Sequence, residues 1–247
     1  MSKIEWLASY ATEPETWNVI AGCSPASTGC AHCYAARMAA RLESMGIEHY
    51  AGVTTGGAYN GVVQLAPDMA FNKPLAWRAP RTCFVCSMSD IMHDRVQRTT
   101  IERVLRIAEQ AKDKSGSRFI FLTKRPERLA RFDWSRFNLG ITAENQVTFN
   151  ERLRDLGEVK AGFKFISAEP LLGPLDIRGV NEAGVQLIIV GGETGPGARP
   201  MNLEWARSIR EQCLELGIDF FFKRTGGVRG GEDTLDDVAY RRAPRWI

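Results

Sequence analysis

The feature that most constrains the fold is an alternation that repeats along the chain. Short apolar runs rich in β-branched and aromatic residues take turns with stretches whose apolar residues recur at helical period. The runs Trp17–Ala21, Cys83–Cys86, Phe119–Leu122, Leu139–Ile141, Phe163–Ile166, Leu187–Val190 and Asp219–Phe222 read as strands. Between them, Ala31–Met45, Thr99–Ala111, Pro126–Phe132, Gln146–Leu156 and Leu203–Leu216 read as helices. Pro126 suits a first helical turn, where its missing N–H costs nothing. Tyr34, Met38, Leu42 and Met45 fall at spacings of four, four and three, which predicts one apolar face on the first helix. Parallel strands need crossover connections, so this order predicts an α/β fold with a mainly parallel sheet. A chain of 247 residues suits a single domain, 1–247, of barrel type. Residues 46–80 break the rhythm, being rich in Gly, Tyr, Thr and Pro, and predict an irregular excursion with a short hairpin.

Polar residues punctuate one end of nearly every strand. Ser87-Met88-Ser89-Asp90, Thr123-Lys124-Arg125, Thr142-Ala143-Glu144-Asn145, Ser167-Ala168-Glu169-Pro170, Gly191-Gly192-Glu193-Thr194 and Lys223-Arg224 form the series. In a barrel or part-barrel, side chains at the carboxyl ends of parallel strands converge on one mouth, where such folds build their sites. One such triplet is weak; a series in phase with the strands is a strong signal.

Cys23, Cys30 and Cys33 lie in C-x6-C-x2-C spacing on the loop leaving the first strand, with Cys33 near the start of the first helix. The free N–H groups and positive dipole end of a helix favour an anionic metal cluster there. Gly22 and Gly29, each just before a cysteine, give the loop freedom to wrap it. No run approaches about 18 apolar residues, and the start Met1-Ser2-Lys3-Ile4-Glu5-Trp6 lacks a signal-peptide pattern. Both predict a cytoplasmic protein with no membrane partner, in which clustered cysteines serve as metal ligands or catalysts and not disulfides. Two metals fit. An iron–sulfur cube on three cysteines keeps one iron open for chemistry, whereas zinc in a Cys3His site would need one of His32, His49 or His93. The net charge of +3 permits an anionic substrate without announcing nucleic-acid binding.

The three-cysteine loop, in the run Trp17-Asn18-Val19-Ile20-Ala21-Gly22-Cys23 … Gly29-Cys30-Ala31-His32-Cys33-Tyr34-Ala35, resembles the phage- and prophage-encoded family of radical S-adenosylmethionine-like proteins. The resemblance extends over Ile4-Glu5-Trp6, Pro74-Leu75-Ala76-Trp77, Ser87-Met88-Ser89-Asp90, Leu122-Thr123-Lys124-Arg125-Pro126-Glu127-Arg128, Glu144-Asn145, Ser167-Ala168-Glu169-Pro170-Leu171, Gly191-Gly192-Glu193 and Phe221-Phe222-Lys223. It implies a radical-SAM-like partial (β/α) TIM-type barrel, a 4Fe–4S cluster on Cys23, Cys30 and Cys33, and S-adenosyl-L-methionine as co-substrate. It also implies a flavodoxin- or ferredoxin-like reductant and generation of a 5′-deoxyadenosyl radical. Some members of the family are thought to isomerise an amino-acid-modified, glycyl-type thymine during phage DNA hypermodification. That implies a modified DNA or nucleotide substrate and, for a phage protein, the host cytoplasm. The triplet Gly191-Gly192-Glu193 comes late in the chain, so Ser87, Ser89 and Asp90 stand beside Glu193 as candidates to hold the methionine group. Lys124, Arg125 and Lys223 are candidates for carboxylate or phosphate, and His93, Glu144 and Glu169 for catalysis. The alternatives are a zinc-stapled, non-catalytic nucleic-acid-binding module and a radical lyase acting on another substrate.

Plainer readings apply elsewhere. Cys83 and Cys86 read as packing or surface thiols along a strand, and Cys213 as a core residue on helical period with Leu203, Ala206, Ile209 and Leu216. His93 reads either as a proton donor or as a solvated residue starting a helix, and the basic tail Arg241-Arg242 … Arg245-Trp246 as a solvated terminus.

Overall fold

The computed structural model describes residues 13–241, so Ile4-Glu5-Trp6 and the tail beyond Arg241 lie outside the described residues. In chain order the elements are β1 (Pro14–Trp17), β2 (Ile20–Ala21), α1 (Tyr34–Ser44), β3 (Thr54–Thr55), β4 (Ala58–Tyr59), β5 (Gln64–Leu65), α2 (Asp68–Asn72) and β6 (Thr82–Val85). They continue as α3 (Arg98–Ser115), β7 (Arg118–Thr123), β8 (Trp134–Thr142), α4 (Gln146–Gly157), β9 (Ala161–Ala168), β10 (Val185–Gly191), α5 (Leu203–Leu216) and β11 (Asp219–Arg224).

Seven strands form one curled, all-parallel sheet in the order β1-β6-β7-β8-β9-β10-β11, a half-barrel. Strand order equals chain order, as expected when each strand is followed by a right-handed crossover onto the same side. The strand period of two then separates the faces. Cys83, Val85, Phe119, Phe121, Leu139, Ile141, Ile166, Ile188, Val190 and Phe222 pack outward into the main core, joined by Val104, Ala108, Phe149, Ile209 and Cys213 from the helices. Phe84, Ile120, Phe163, Phe165, Leu187, Ile189 and Phe221 turn inward and form a second apolar cluster inside the curl. Gly140 makes room for it: a Cβ there would meet the Phe165 ring at 2.4 Å. The open edge of β11 is covered by Tyr240 and Arg241, with Phe222 N–H donating to the Tyr240 carbonyl at 3.0 Å.

Several expectations shift in detail. The run Trp17–Ala21 is two strands. β1 ends at Trp17, and Ile20–Ala21 leaves the sheet to pair antiparallel with β5. The first helix begins at Tyr34, because residues Thr28–Cys30 close into a tight 3-10 turn and Cys33 stands extended as the N-cap. Its expected apolar face is not the buried one. Ala35, Ala36 and Ala39 are buried, whereas Tyr34, Met38 and Met45 are exposed. Small side chains win that face because Ala35 and Ala39 pack closely with Ala21, Tyr50, Val53 and Met88 in a satellite core.

The excursion at 46–80 contains the expected hairpin, β3 with β4, and then β5, α2 and a 3-10 turn at Lys73–Ala76. Trp77 stacks on Phe119 at 5.9 Å, and Trp17 meets Phe119 edge-on at 6.0 Å while donating its indole N–H to the Ala70 carbonyl. Pro126–Arg131 is 3-10 in type, and α3 runs longer than expected, to Ser115, where Gly116 at φ 71° closes it. Among the described residues no helix is long and apolar enough to cross a membrane.

Candidate metal and substrate site

The alternation that builds the inner apolar cluster carries on past the strand ends. Two residues after Leu122 comes Lys124, and beyond Gly140 come Thr142 and Glu144. Beyond Phe165 come Ser167 and Glu169, beyond Ile189 come Gly191 and Glu193, and after Phe221 comes Lys223. An apolar inner layer therefore rises into a charged mouth at the carboxyl edge of the sheet, the edge on which parallel α/β folds place their sites.

The charges in that mouth are paired. Glu144 is fully buried and accepts from Lys124 Nζ, from Arg152 Nη1 at 3.0 Å and from Ser27 Oγ at 2.7 Å. Burial alone would raise its carboxyl, but the Lys124 and Arg152 charges outweigh that and hold it below the usual range. Glu169 accepts from Ser167 Oγ at 2.9 Å and pairs with Lys223 Nζ at 2.8 Å. Glu193 accepts from His32 Nδ1 at 2.9 Å and from Arg199 through Nε at 2.8 Å, Nη2 at 2.6 Å and the backbone N–H at 2.9 Å. Here too burial opposes ionisation, and the hydrogen bonds from Arg199 and His32 overcome it, bringing the carboxyl to about 2.

The cysteine loop sits over this ring. Cys23, Cys30 and Cys33 are half-buried free thiols, whereas Cys83, Cys86 and Cys213 are buried in the main core. Cys86 joins Cys83 on the core side because the chain turns off the strand there at φ 54°. Both thus pack in the core, as does Cys213. A Cβ on Gly29 would fall 2.5 Å from the Glu144 carboxylate, so the loop rests directly on that ion pair. Gly22, at φ 86°, lets the chain pass under the Val62 carbonyl of the excursion, and Gly61 N–H donates to the Cys23 carbonyl at 2.9 Å. Cys30 Sγ receives the Ala26 N–H at 3.4 Å, and Cys23 Sγ receives Arg125 Nη1 at 3.7 Å. As a free thiol Cys23 is pushed up to about 11 by burial and by the Asp90 charge, against the pull of Arg125.

The group after β6 lies beside this loop. Ser87 Oγ donates to the Asn18 side chain at 3.1 Å, and Ser89 Oγ donates to the Gly22 carbonyl. Asp90 accepts from Met92 N–H at 3.0 Å, Thr123 Oγ1 at 2.7 Å, Lys124 N–H at 2.9 Å and Arg125 Nη1 at 3.4 Å. His93 is buried and precedes α3 by several residues, so it is neither solvated nor helix-starting. Its Nδ1 accepts the Arg95 N–H at 3.2 Å, which makes Nε2 the protonated nitrogen that donates to Ser24 Oγ at 2.9 Å. Burial and the neighbouring Arg125 lower its basicity. Arg125 is buried too, and it grips the cysteine loop. Sequence reasoning assigned no role to Asn18, Ser24, Ser27, Arg152 or Arg199. Asn18, Ser24 and Ser27 lie in or beside the cysteine loop, but nothing in the motif marks them as its anchors, whereas Arg152 and Arg199 are lone polar residues that only the tertiary fold brings to the site.

The donor set fits an iron–sulfur cube. Three accessible thiols share one loop, N–H donors point at two of the sulfurs, and a cationic side chain lies beside one of them. Among the described residues no three His, Cys, Asp or Glu side chains converge as the ligands of a single ion do. A cube asks for something different, since each thiolate binds a separate corner iron.

Fold and site define an α/β protein whose parallel half-barrel carries a three-cysteine loop over a mouth of paired charges. The chain belongs to the family described as a protein of unknown function, DUF5131, which matches residues 1–242. No curated protein and no solved structure matches it.

Proposed function

We propose that this protein is a radical S-adenosylmethionine enzyme, with Cys23, Cys30 and Cys33 holding a 4Fe–4S cluster at the mouth of a radical-SAM-like half-barrel. The observation that supports it most is the placement of three half-buried free thiols on one loop at the carboxyl edge of the sheet, directly above the charged mouth. When bound, the cluster and its co-substrate supply a reductively generated 5′-deoxyadenosyl radical able to abstract an unactivated hydrogen.

The chain's own residues give that chemistry a place. Phe84, Phe163, Phe165 and Phe221 floor the mouth with apolar surface and keep water from its base. Lys223 and Lys124 offer ammonium groups for carboxylate or phosphate, and Glu169 offers a carboxylate for an ammonium group. Glu144 and Glu193 are held ionised by their cations, so they serve as fixed charges and not as proton acceptors at neutral pH. His93 holds the loop as a neutral hydrogen-bond donor to Ser24. The resemblance extends the proposal to isomerisation of a glycyl-type thymine in phage DNA, with an amine and a carboxylate of the kind Glu169 and Lys223 would meet.

Anaerobic reconstitution with iron and sulfide tests the class. Brown protein with roughly three to four irons per chain, releasing 5′-deoxyadenosine on reduction in the presence of S-adenosylmethionine, is the expected result. Serine at Cys23, Cys30 and Cys33 should abolish both. A colourless, zinc-loaded protein that binds DNA and leaves S-adenosylmethionine intact would defeat the reading in favour of the zinc-stapled module. Mass spectrometry and NMR of glycyl-modified thymidine after incubation with active enzyme test the substrate; an unchanged nucleoside beside steady 5′-deoxyadenosine release would point to another radical reaction.

A further inference from the structure

Arg125 differs from the other cations of the mouth in that its guanidinium reaches a sulfur. Its side chain is 10% exposed. Nη2 donates to the Ser24 carbonyl at 2.7 Å and to Ser24 Oγ at 2.9 Å, while Nη1 lies 3.7 Å from Cys23 Sγ and 3.4 Å from Asp90 Oδ2. These contacts fix the plane of the fork from both of its ends. Ser24 is held in turn by His93, and Asp90 by Thr123 and the Lys124 backbone, so neither acceptor is free to swing away. Cys30 receives a neutral backbone N–H, whereas Cys23 receives a donor with a full positive charge.

We propose that Arg125 sets the reduction potential of the cluster by directing a charge-assisted hydrogen bond at the Cys23 sulfur. This rests on the functional reading above. Reduction adds one electron, delivered by a low-potential one-electron carrier, and makes the cluster one charge more negative with no proton taken up. A cation that cannot deprotonate, aimed at a ligand sulfur in a partly dry site, favours that more negative state. A role confined to closing the loop would leave the potential alone.

The test compares wild type, Arg125→Lys and Arg125→Met after anaerobic reconstitution. Iron and sulfide content, the urea unfolding midpoint, and a dithionite redox titration followed by electron paramagnetic resonance are measured for each. Iron content fixes the loaded fraction of each variant, and potentials are compared on the cluster-bearing protein. In Arg125→Met the reduced-to-oxidised ratio at a fixed potential should fall at least tenfold, about 59 mV for a one-electron couple. Arg125→Lys should fall in between, because the charge stays and the fork is lost. Equal potentials in wild type and Arg125→Met overturn the proposal, and so does an equal displacement in the Lys and Met variants, which would mark packing and not charge. Should Arg125→Met fail to fold, Arg125→Gln takes its place, because it keeps N–H donors and loses the charge: a potential lowered in Arg125→Gln beyond that of Arg125→Lys upholds the proposal, and any other result overturns it. Wild-type protein that takes up no iron overturns the functional reading and this inference together, whereas a wild-type cluster whose potential ignores Arg125 overturns the inference alone.

Discussion

Glu193→Gln should destabilise the protein and loosen the cysteine loop, and both effects should fade in acid. The carboxylate takes three hydrogen bonds from Arg199 and one from His32, while Arg199 Nη2 also donates to the Thr28 carbonyl at 3.0 Å. Folding lowers the carboxyl from 4.5 to about 2, burial being outweighed by those bonds. At 1.36 kcal/mol per pH unit this difference amounts to about 3 kcal/mol. The Glu193 side chain is only 5% exposed, but Arg199 and His32 are each 34% exposed. Water screens them, which reduces the expected loss to about 2 kcal/mol. The sign follows from a folded value below the unfolded one. The contribution is complete above pH 4.5, falls to roughly two-fifths by pH 3 and vanishes as pH drops through about 2. Urea unfolding of wild type and Glu193→Gln at pH 7 and pH 3 measures the gap at each. Hydrogen exchange at residues 28–33 reports the loop directly and should quicken in the variant at pH 7. A gap below about 0.5 kcal/mol at pH 7, typical of a solvated pair, would refute the reasoning. An equal gap at both pH values would do the same.

Other consequences are as direct. Gly29→Ala places a Cβ 2.5 Å from a carboxylate that three partners hold still, and should cost about 1–3 kcal/mol together with most of the iron uptake, read by urea unfolding and iron assay. Gly140→Ala should cost a similar amount through its 2.4 Å approach to Phe165, and clearly less in a Phe165→Leu background, so a double-mutant cycle in urea isolates that contact. In metal-free native protein, iodoacetamide at pH 8 should label Cys30 and Cys33 ahead of Cys23. Cys83, Cys86 and Cys213, all buried, should stay unlabelled until denaturant is added, which peptide mass spectrometry will show. Glu169→Gln should leave unfolding and iron content near wild type, since its partner Lys223 is partly solvated, while weakening S-adenosylmethionine or substrate binding in calorimetry.

The sheet was legible in the sequence because its strands declare themselves twice, by apolar runs and by the polar residue that ends each one. Leu187-Ile188-Ile189-Val190 can only be buried on both faces, and the structure places it in β10 between two parallel neighbours. The helix Leu203–Leu216 falls within the expected bounds because Asn202 caps one end and Gly217 at φ 69° the other. The first helix misled because Tyr34, Met38 and Met45 make the louder hydrophobic stripe, while close packing against the excursion selects alanine. Burial of Arg125 was equally silent. A basic pair after a strand reads the same whether solvated or locked onto Asp90, and only the spatial neighbour decides.

That silence bears on what the polar strand ends are for. In sequence they look like one ring of ligand-binding groups. In space, three of them hold successive parts of the cysteine loop: Arg125 after β7 grips Ser24 and reaches Cys23, Glu144 after β8 takes Ser27 and supports Gly29, and Glu193 after β10 takes His32 while its partner Arg199 takes Thr28. A loop of eleven residues, Cys23–Cys33, is thereby referred at three points to a rigid parallel sheet. Its geometry is set by strands and not by its own conformational preferences. This is the arrangement a site needs when three thiols must meet an inorganic group without paying the entropy of ordering a free loop at each binding event. Glu169, just after β9, and Lys223, at the end of β11, pair with each other, and so remain the strand-end charges most available to a substrate.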